Sequence, residues 1–433
     1  MERSLMSDLV VWKDRPMRKP LLLQGARQTG KTWLVEEFGR RHFADVVKVD
    51  LMMSDEFKAL FEGDLNPDRI IMQIEFRVGR KIDPQRTLLF FDEIQEAPRG
   101  LTALKYFCEQ AREYHVIATG SYMGVSVGRS GDSFPVGKVD ELTLHPLCFE
   151  EYLRAVAGGP IADVLAAADM DALMGAEDLL TRHLRQYLLI GGMPEVVASF
   201  AESGDYAEAR RLQQSILMAY DADFSKHAPT RILERMRLVW KSLPGQLARE
   251  NRRFVYGAVR EGGRARDFEE SLQWLSDYGV THKVSRVDAL RTPLLSYEDL
   301  GSFKLFGIDV GLLAAQAGLD ASAVIGGSKL FTEFKGALTE QYVCQELVAQ
   351  GMNPVYWSAG SGKAETDFSV ELGGTVVPIE VKAGENLRSK SLRVACDRFG
   401  LSRAVRTSLS GYRDEGWLVN IPLWAIGCLC KLV

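Results

Sequence analysis

Short, unbroken apolar runs recur through the first 150 positions, each closed by a glycine or a charged residue. This is the pattern of parallel strands buried on both faces. Pro20-Leu21-Leu22-Leu23-Gln24, Val46-Val47-Lys48-Val49-Asp50-Leu51, Thr87-Leu88-Leu89-Phe90-Phe91 and His115-Val116-Ile117-Ala118-Thr119 are four of them. Trp33-Leu34-Val35-Glu36-Glu37-Phe38 has helical spacing between the first two. An α/β core over 1–150 is predicted. The period then changes. Residues 150–190 read as helical, with an Ala/Gly/Asp-rich, exposed stretch at 155–176, and Gly191-Gly192-Met193-Pro194 marks a sharp turn. Helices are predicted over about 205–220 and 230–249. Within Arg266–Tyr278, Phe268, Leu272, Leu275 and Tyr278 recur at three- and four-residue steps, an amphipathic helix, and Val280–Val287 is strand-like. Thr366–Glu371 and Thr375–Lys382 alternate as strands around a Leu372-Gly373-Gly374 turn. The divisions predicted are 1–150, a helical lid over 151–225, a winged-helix-like segment over 226–312 and a C-terminal α/β domain over 313–433.

Composition adds limits. A chain of 433 residues is too long for one core. A net charge of −5 advertises no global affinity for nucleic acid, so such a partner needs a local patch. One candidate exists: from Lys226 to Arg291 there are 14 Lys/Arg against 8 Asp/Glu, with Arg249, Arg252, Arg253, Arg260, Arg264 and Arg266 close together. Helices, a short hairpin and arginines around them suggest contact with DNA phosphates. The plainer alternative is a structural adaptor whose charges pair or face water. The 6 Cys form no C-x-x-C pair and read as small apolar residues of a reducing compartment. The start, Met1–Asp14, is mixed and charged, and no apolar run approaches the roughly 18 residues of a membrane helix. A cytoplasmic protein without membrane contact is expected.

The first apolar run leads into Gly25-Ala26-Arg27-Gln28-Thr29-Gly30-Lys31-Thr32, and Trp33 continues into the helix. Strand, glycine loop and helix make a phosphate-binding loop. The two glycines let backbone N–H groups turn inward, Lys31 reaches the β- and γ-phosphates, Thr32 offers its hydroxyl to Mg²⁺, and the helix start adds partial positive charge. The third run ends in Asp92-Glu93. Asp92 is expected to hold Mg²⁺ through water and Glu93 to orient the attacking water. At the end of the fourth run, Thr119 or Ser121 is a candidate sensor of the γ-phosphate, against the plainer reading of a Ser/Thr turn. The Asp-Glu pair, and the lack of an Asn-Lys-x-Asp guanine-reading motif, favour ATP over GTP.

These strings, with Leu144-His145-Pro146-Leu147-Cys148-Phe149-Glu150-Glu151, Gly191-Gly192-Met193-Pro194-Glu195, Asp223-Phe224-Ser225-Lys226-His227, Phe303-Lys304-Leu305 and Lys335-Gly336-Ala337-Leu338-Thr339-Glu340, resemble a widespread prokaryotic family. It comprises AAA-type (AAA+) ATPases with a C-terminal domain of unknown function. The resemblance implies ATP binding and hydrolysis and a homo-oligomeric ring, a hexamer being the family-type arrangement. The family usually shows Gly-Arg before the Pro-Leu-x-Phe-Glu string, and here the pair is Gly137-Lys138. Lys138, or Arg129 nearby, is the candidate finger toward a neighbouring subunit's γ-phosphate, although lysine lacks the bidentate fork.

The C-terminal part carries a second signal. Glu380 and Lys382 fall on one face of their strand and Asp367 can face them across the hairpin. Two carboxylates and a lysine with Ile/Val behind suit a metal-dependent phosphodiesterase: Asp367 and Glu380, joined by Glu340, bind Mg²⁺, and Lys382 activates water or steadies phosphate. The arrangement resembles the PD-(D/E)xK nuclease superfamily, which implies a restriction-endonuclease-like fold. Two functions follow. In one, an oligomeric ATPase couples turnover to nucleic-acid binding or processing. In the other, an ATP-driven switch or protein-remodelling ring uses an inactive C-terminal interaction module.

Overall fold

The computed structural model describes residues 1–97, 99–121, 135–250, 252–320, 329–359, 364–384 and 389–433. They form two compact units, one of Glu2–His145 with Asp277–Gly279, the other essentially of Pro146–Ser276 and Val280–Val433.

The first unit runs α1 (Leu5–Asp14), β1 (Leu21–Gln24), α2 (Lys31–His42), β2 (Asp45–Asp50), α3 (Asp55–Lys58), α4 (Pro67–Val78), β3 (Thr87–Asp92), α5 (Gly100–Gln110), β4 (His115–Gly120) and β5 (Asp140–Thr143). Its five strands are all parallel, in the order β2-β3-β4-β1-β5. The apolar runs form the inner strands because both faces of the sheet are covered. Leu21 and Leu23 pack with Leu34, Val35 and Phe38 of α2. Leu22, Leu89 and Phe91 pack on the opposite side with Ile70 and Ile74 of α4 and Leu104 and Phe107 of α5. Each such side chain contributes about 1.5–3 kcal/mol. The topology places β4 between the loop-bearing β1 and β3, so groups at the ends of β1, β3 and β4 face one another.

The second unit begins with helices α6 (Phe149–Ala157), α7 (Gly159–Ala166), α8 (Glu177–Ile190), α9 (Pro194–Ser203), α10 (Tyr206–His227), α11 (Thr230–Leu247), α12 (Tyr256–Val259) and α13 (Ala265–Asp277). There follow β6 (Thr281–Val287), β7 (Glu298–Gly307), α14 (Val310–Gln316), α15 (Lys329–Ala349), β8 (Val355–Ser358), β9 (Glu365–Leu372), β10 (Thr375–Val381), α16 (Lys390–Phe399), β11 (Ala404–Ser408), β12 (Arg413–Asp414), β13 (Leu418–Pro422) and α17 (Leu429–Leu432). All eight strands belong to one mixed sheet, ordered β12-β13-β11-β10-β9-β8-β6-β7. The β9–β10 hairpin turns on Gly373 and Gly374, both at positive φ (54° and 78°), as a two-residue turn requires.

Two expected divisions come out differently. The β6–β7 hairpin is not the wing of a separate segment ending at 312. It forms one edge of the C-terminal sheet, because β6 still has a free backbone edge and β8 pairs with it in parallel, Arg286 opposite Tyr356 and Val287 opposite Trp357. The helices read as a lid belong to the second unit as well: the Phe149 backbone N–H donates to Glu346 of α15 at 2.8 Å, and that of Gly192 to Asp309 at 2.6 Å.

Candidate functional site

The loop between β1 and α2 owes its shape to three left-handed residues, Gly25 (φ 150°), Gln28 (φ 65°) and Gly30 (φ 91°). A Cβ on Gly25 would stand 2.4 Å from the Leu144 carbonyl oxygen, so no other residue fits there. Thr29 closes the loop by donating to the Ala26 carbonyl at 2.9 Å. Arg3 adds a brace from outside: its guanidinium donates to the carbonyls of Thr29 (2.9 Å) and His145 (2.6 Å).

Inside this frame the expected residues converge. Lys31 Nζ donates to the carbonyls of Gly25 and Ala26, each at 2.9 Å, and to Ser121 Oγ at 3.0 Å. Thr32 Oγ1 lies 3.0 and 3.1 Å from the two oxygens of Asp92. Thr119 Oγ1 donates to Asp92 at 2.6 Å and accepts from the Glu93 backbone N–H at 3.2 Å. Glu93, itself in the left-handed region at φ 54°, receives Gln95 on one carboxylate oxygen and Ser121 on the other at 3.4 Å. Thr119 thus ties the two acids together, and Ser121 links Lys31 to Glu93. The hard oxygens of Thr32 and Asp92 suit Mg²⁺. Ala26 and Arg27 sit in the loop and Trp33 in the first turn of α2, the end of a helix that favours anions.

One cation of the site gave no signal in the sequence. Lys48 of β2 reaches Asp92 at 3.1 Å and Glu36 at 2.9 Å. A lysine inside an apolar strand looks like a solvent-facing position, and only the pairing of β2 with β3 brings it beside Asp92.

Burial pushes the Lys31 ammonium down to about 8, against the pull of Glu93 and Asp92. Phosphate needs the charged form. Nucleotide affinity is therefore expected to hold steady below pH 8 and to fall above it, by up to about tenfold per pH unit. Titrating a fluorescent ATP analogue between pH 6.5 and 9.5 checks this, and a flat profile would exclude Lys31 as the titrating contact.

Lys138, one finger candidate, pairs with Glu109 of α5 at 2.7 Å and stays partly exposed. Arg129, the other, lies outside the described residues.

In the C-terminal sheet Glu380 and Lys382 form an ion pair at 2.6 Å, and Asp367 accepts from the Val381 backbone N–H at 2.7 Å. Glu340 and Asp367 converge elsewhere, on Lys304 of β7. The Lys304 ammonium, 1% exposed, lies 3.1 Å from Glu365, 3.7 Å from Glu340 and 4.0 Å from Asp367. Arg252 holds the other oxygen of Glu340 at 2.6 Å. Among the described residues no group of three or more His, Cys, Asp or Glu side chains is placed to hold a metal ion. Of the clustered arginines, Arg252 is spent on Glu340, whereas Arg249, Arg260, Arg264 and Arg266 are exposed and make no ion pair among the described residues. No helix among the described residues is long and apolar enough to cross a membrane.

Comparison with known proteins agrees with this geometry at the level of the domain. No curated protein matches the chain. Similar solved structures include the Walker-type ATPase PABY2304 of Pyrococcus abyssi (14% identity, 73% of this chain and 95% of that one, TM-score 0.43). Two more are the ORC1 protein of Aeropyrum pernix in complex with DNA (14%, 73% and 90%, 0.28) and the ORC2 protein of the same organism in ADPNP-ADP complexes (12%, 78% and 93%, 0.35). Residues 181–323 match a domain of unknown function (DUF8612), and residues 335–424 match another (DUF4143). Residues 17–153 match the AAA domain, and with the loop, Asp92 and Glu93 arranged as above they form an AAA-type P-loop ATPase core.

Proposed function

We propose that this chain is a Mg²⁺-dependent ATPase that works as a homo-oligomer and couples ATP turnover to nucleic acid bound by its second unit. The observation that carries the ATPase reading is the continuous network Lys31–Ser121–Glu93–Thr119–Asp92–Thr32. In this reading the loop N–H groups and Lys31 neutralise the β- and γ-phosphates. Thr32 and Asp92 would hold Mg²⁺, which supplies charge neutralisation at the leaving oxygens. Glu93 aligns water with the γ-phosphate, and Ser121 links it to the lysine that senses that phosphate. Glu93 is fixed from three sides, so little reorganisation is needed when the nucleotide arrives.

The nucleic-acid part is supported by Arg249, Arg260, Arg264 and Arg266, which are exposed and make no ion pair among the described residues. The test is ATP turnover with and without double- or single-stranded DNA at low salt. Stimulation that fades as salt rises is the expected result, and no binding and no stimulation would remove DNA from the reading. Lys31→Ala is expected to weaken ATP binding by about 10- to 100-fold, since a charge-assisted phosphate contact is lost. Equal affinity of this variant and the parent would reject the site. The second reading, an ATP-driven switch with an inactive C-terminal module, draws support from one observation: Lys304 lies within 4.0 Å of Glu340 and Asp367, two of the three acids that a nuclease would need.

A further inference from the structure

Glu340 from α15 and Glu365 and Asp367 from β9 gather around Lys304, and two of them, Glu340 and Asp367, are acids that the nuclease resemblance would set on a divalent ion. They do not fit one. We infer that the C-terminal site is a closed, metal-free version of that constellation, in which Lys304 serves as the built-in cation and the domain does not cut nucleic acid. The inference stands apart from the ATPase reading and concerns only the second unit.

Two observations carry it. First, the Lys304 ammonium lies within 4.0 Å of all three carboxylates, and it is backed by the ring face of Tyr356 at 4.9 Å to the centroid. A divalent ion shared by these three acids would compete with this ammonium. The lysine is rooted in a paired strand and buried, so moving its charge away from these acids without solvent would be costly. Second, the chain makes room for a further cation on the same acid. A Cβ on Gly336 would stand 2.4 Å from an Arg252 guanidinium nitrogen, so the glycine one turn before Glu340 leaves the space through which Arg252 reaches it. The remaining members are partly engaged: Asp367 accepts from the Val381 N–H, and one oxygen of Glu380 is held by Lys382 while its other oxygen is buried without a hydrogen-bond partner among the described residues.

The test titrates the full chain with Tb³⁺ and reads luminescence sensitised by Tyr356 and Trp357, beside a DNA-cutting assay in Mg²⁺ and in Mn²⁺. The wild type and Asp367→Asn are expected to give the same Tb³⁺ curve and no cutting. Lys304→Ala is expected to gain a luminescent site at least about tenfold tighter than any wild-type signal, because a positive charge within about 4 Å is removed. Adding Asp367→Asn to Lys304→Ala should abolish the gain, and Lys304→Arg should show none. A wild-type signal, or wild-type cutting, that Asp367→Asn removes would overturn the inference, as would a folded Lys304→Ala without the new site. If Lys304→Ala does not fold, the wild-type and Asp367→Asn comparison still decides. ATP turnover, measured on the same samples, separates this outcome from any failure of the ATPase reading.

Discussion

Glu93→Gln is expected to bind ATP about as well as the parent chain while its turnover falls by about 10²–10⁴-fold, the range for removing a positioned proton acceptor. The amide is isosteric, so the β3 terminus keeps its shape. The backbone N–H of residue 93 still donates to Thr119, and Thr119 still donates to Asp92. What changes is the side-chain group that Gln95 and Ser121 hold in place. A neutral amide cannot align and polarise water as a carboxylate does. Equilibrium binding of a fluorescent nucleotide and single-turnover hydrolysis separate the two effects. Normal turnover would move the catalytic role away from Glu93. Loss of binding along with turnover would instead mean that Glu93 mainly shapes the loop through Ser121 and Lys31.

The site just described was legible in the sequence because its parts are local. A glycine loop between strand and helix, and two acids after four apolar residues, each announce themselves within ten positions. The elements missed depend on pairing across the chain. β5, Asp140-Glu141-Leu142-Thr143, is half polar because it lies at the sheet edge with its outer side toward water, so no apolar run marks it. Lys48 and Lys304 each sit in a strand whose neighbour sets their role, and an alternation pattern reports a strand without reporting its partner. The same blindness assigned β6–β7 to a segment of its own. At the C terminus the hairpin, its Gly373-Gly374 turn and the Glu380–Lys382 pair were all readable, because they are near in sequence. The convergence of Glu340, Glu365 and Asp367 on Lys304 spans more than 60 positions, and nothing short-range encodes it.

Several strings that carried the family resemblance turn out to be packing nodes, and Gly192→Ala should show how much depends on one of them. Gly192 follows α8 at the turn read as sharp from Gly191-Gly192-Met193-Pro194. A Cβ there would stand 2.0 Å from the Leu147 carbonyl oxygen and 2.8 Å from its nitrogen, both backbone atoms that cannot swing away. The backbone of residue 192 is also pinned on both sides: its carbonyl accepts from the Leu147 N–H at 2.7 Å, and its N–H donates to the buried Asp309 at 2.6 Å. Relieving the clash breaks at least one of these bonds and leaves a buried polar group unsatisfied. Overpacking and the lost bond together are expected to cost on the order of 3–5 kcal/mol. For a unit of this size that corresponds to a melting temperature lower by roughly 6–20 °C. Scanning calorimetry of the full chain should show the second unit's transition moving while nucleotide affinity at the first unit holds. Gly245→Ala is the control: it lies in helix α11 with nothing within 4 Å of its Cβ position, so it should be neutral or stabilising by up to about 1 kcal/mol. Equal melting of the two variants would mean that the turn after α8 relaxes freely, and the contact between Leu147 and Gly192 would then have no claim to holding this unit together.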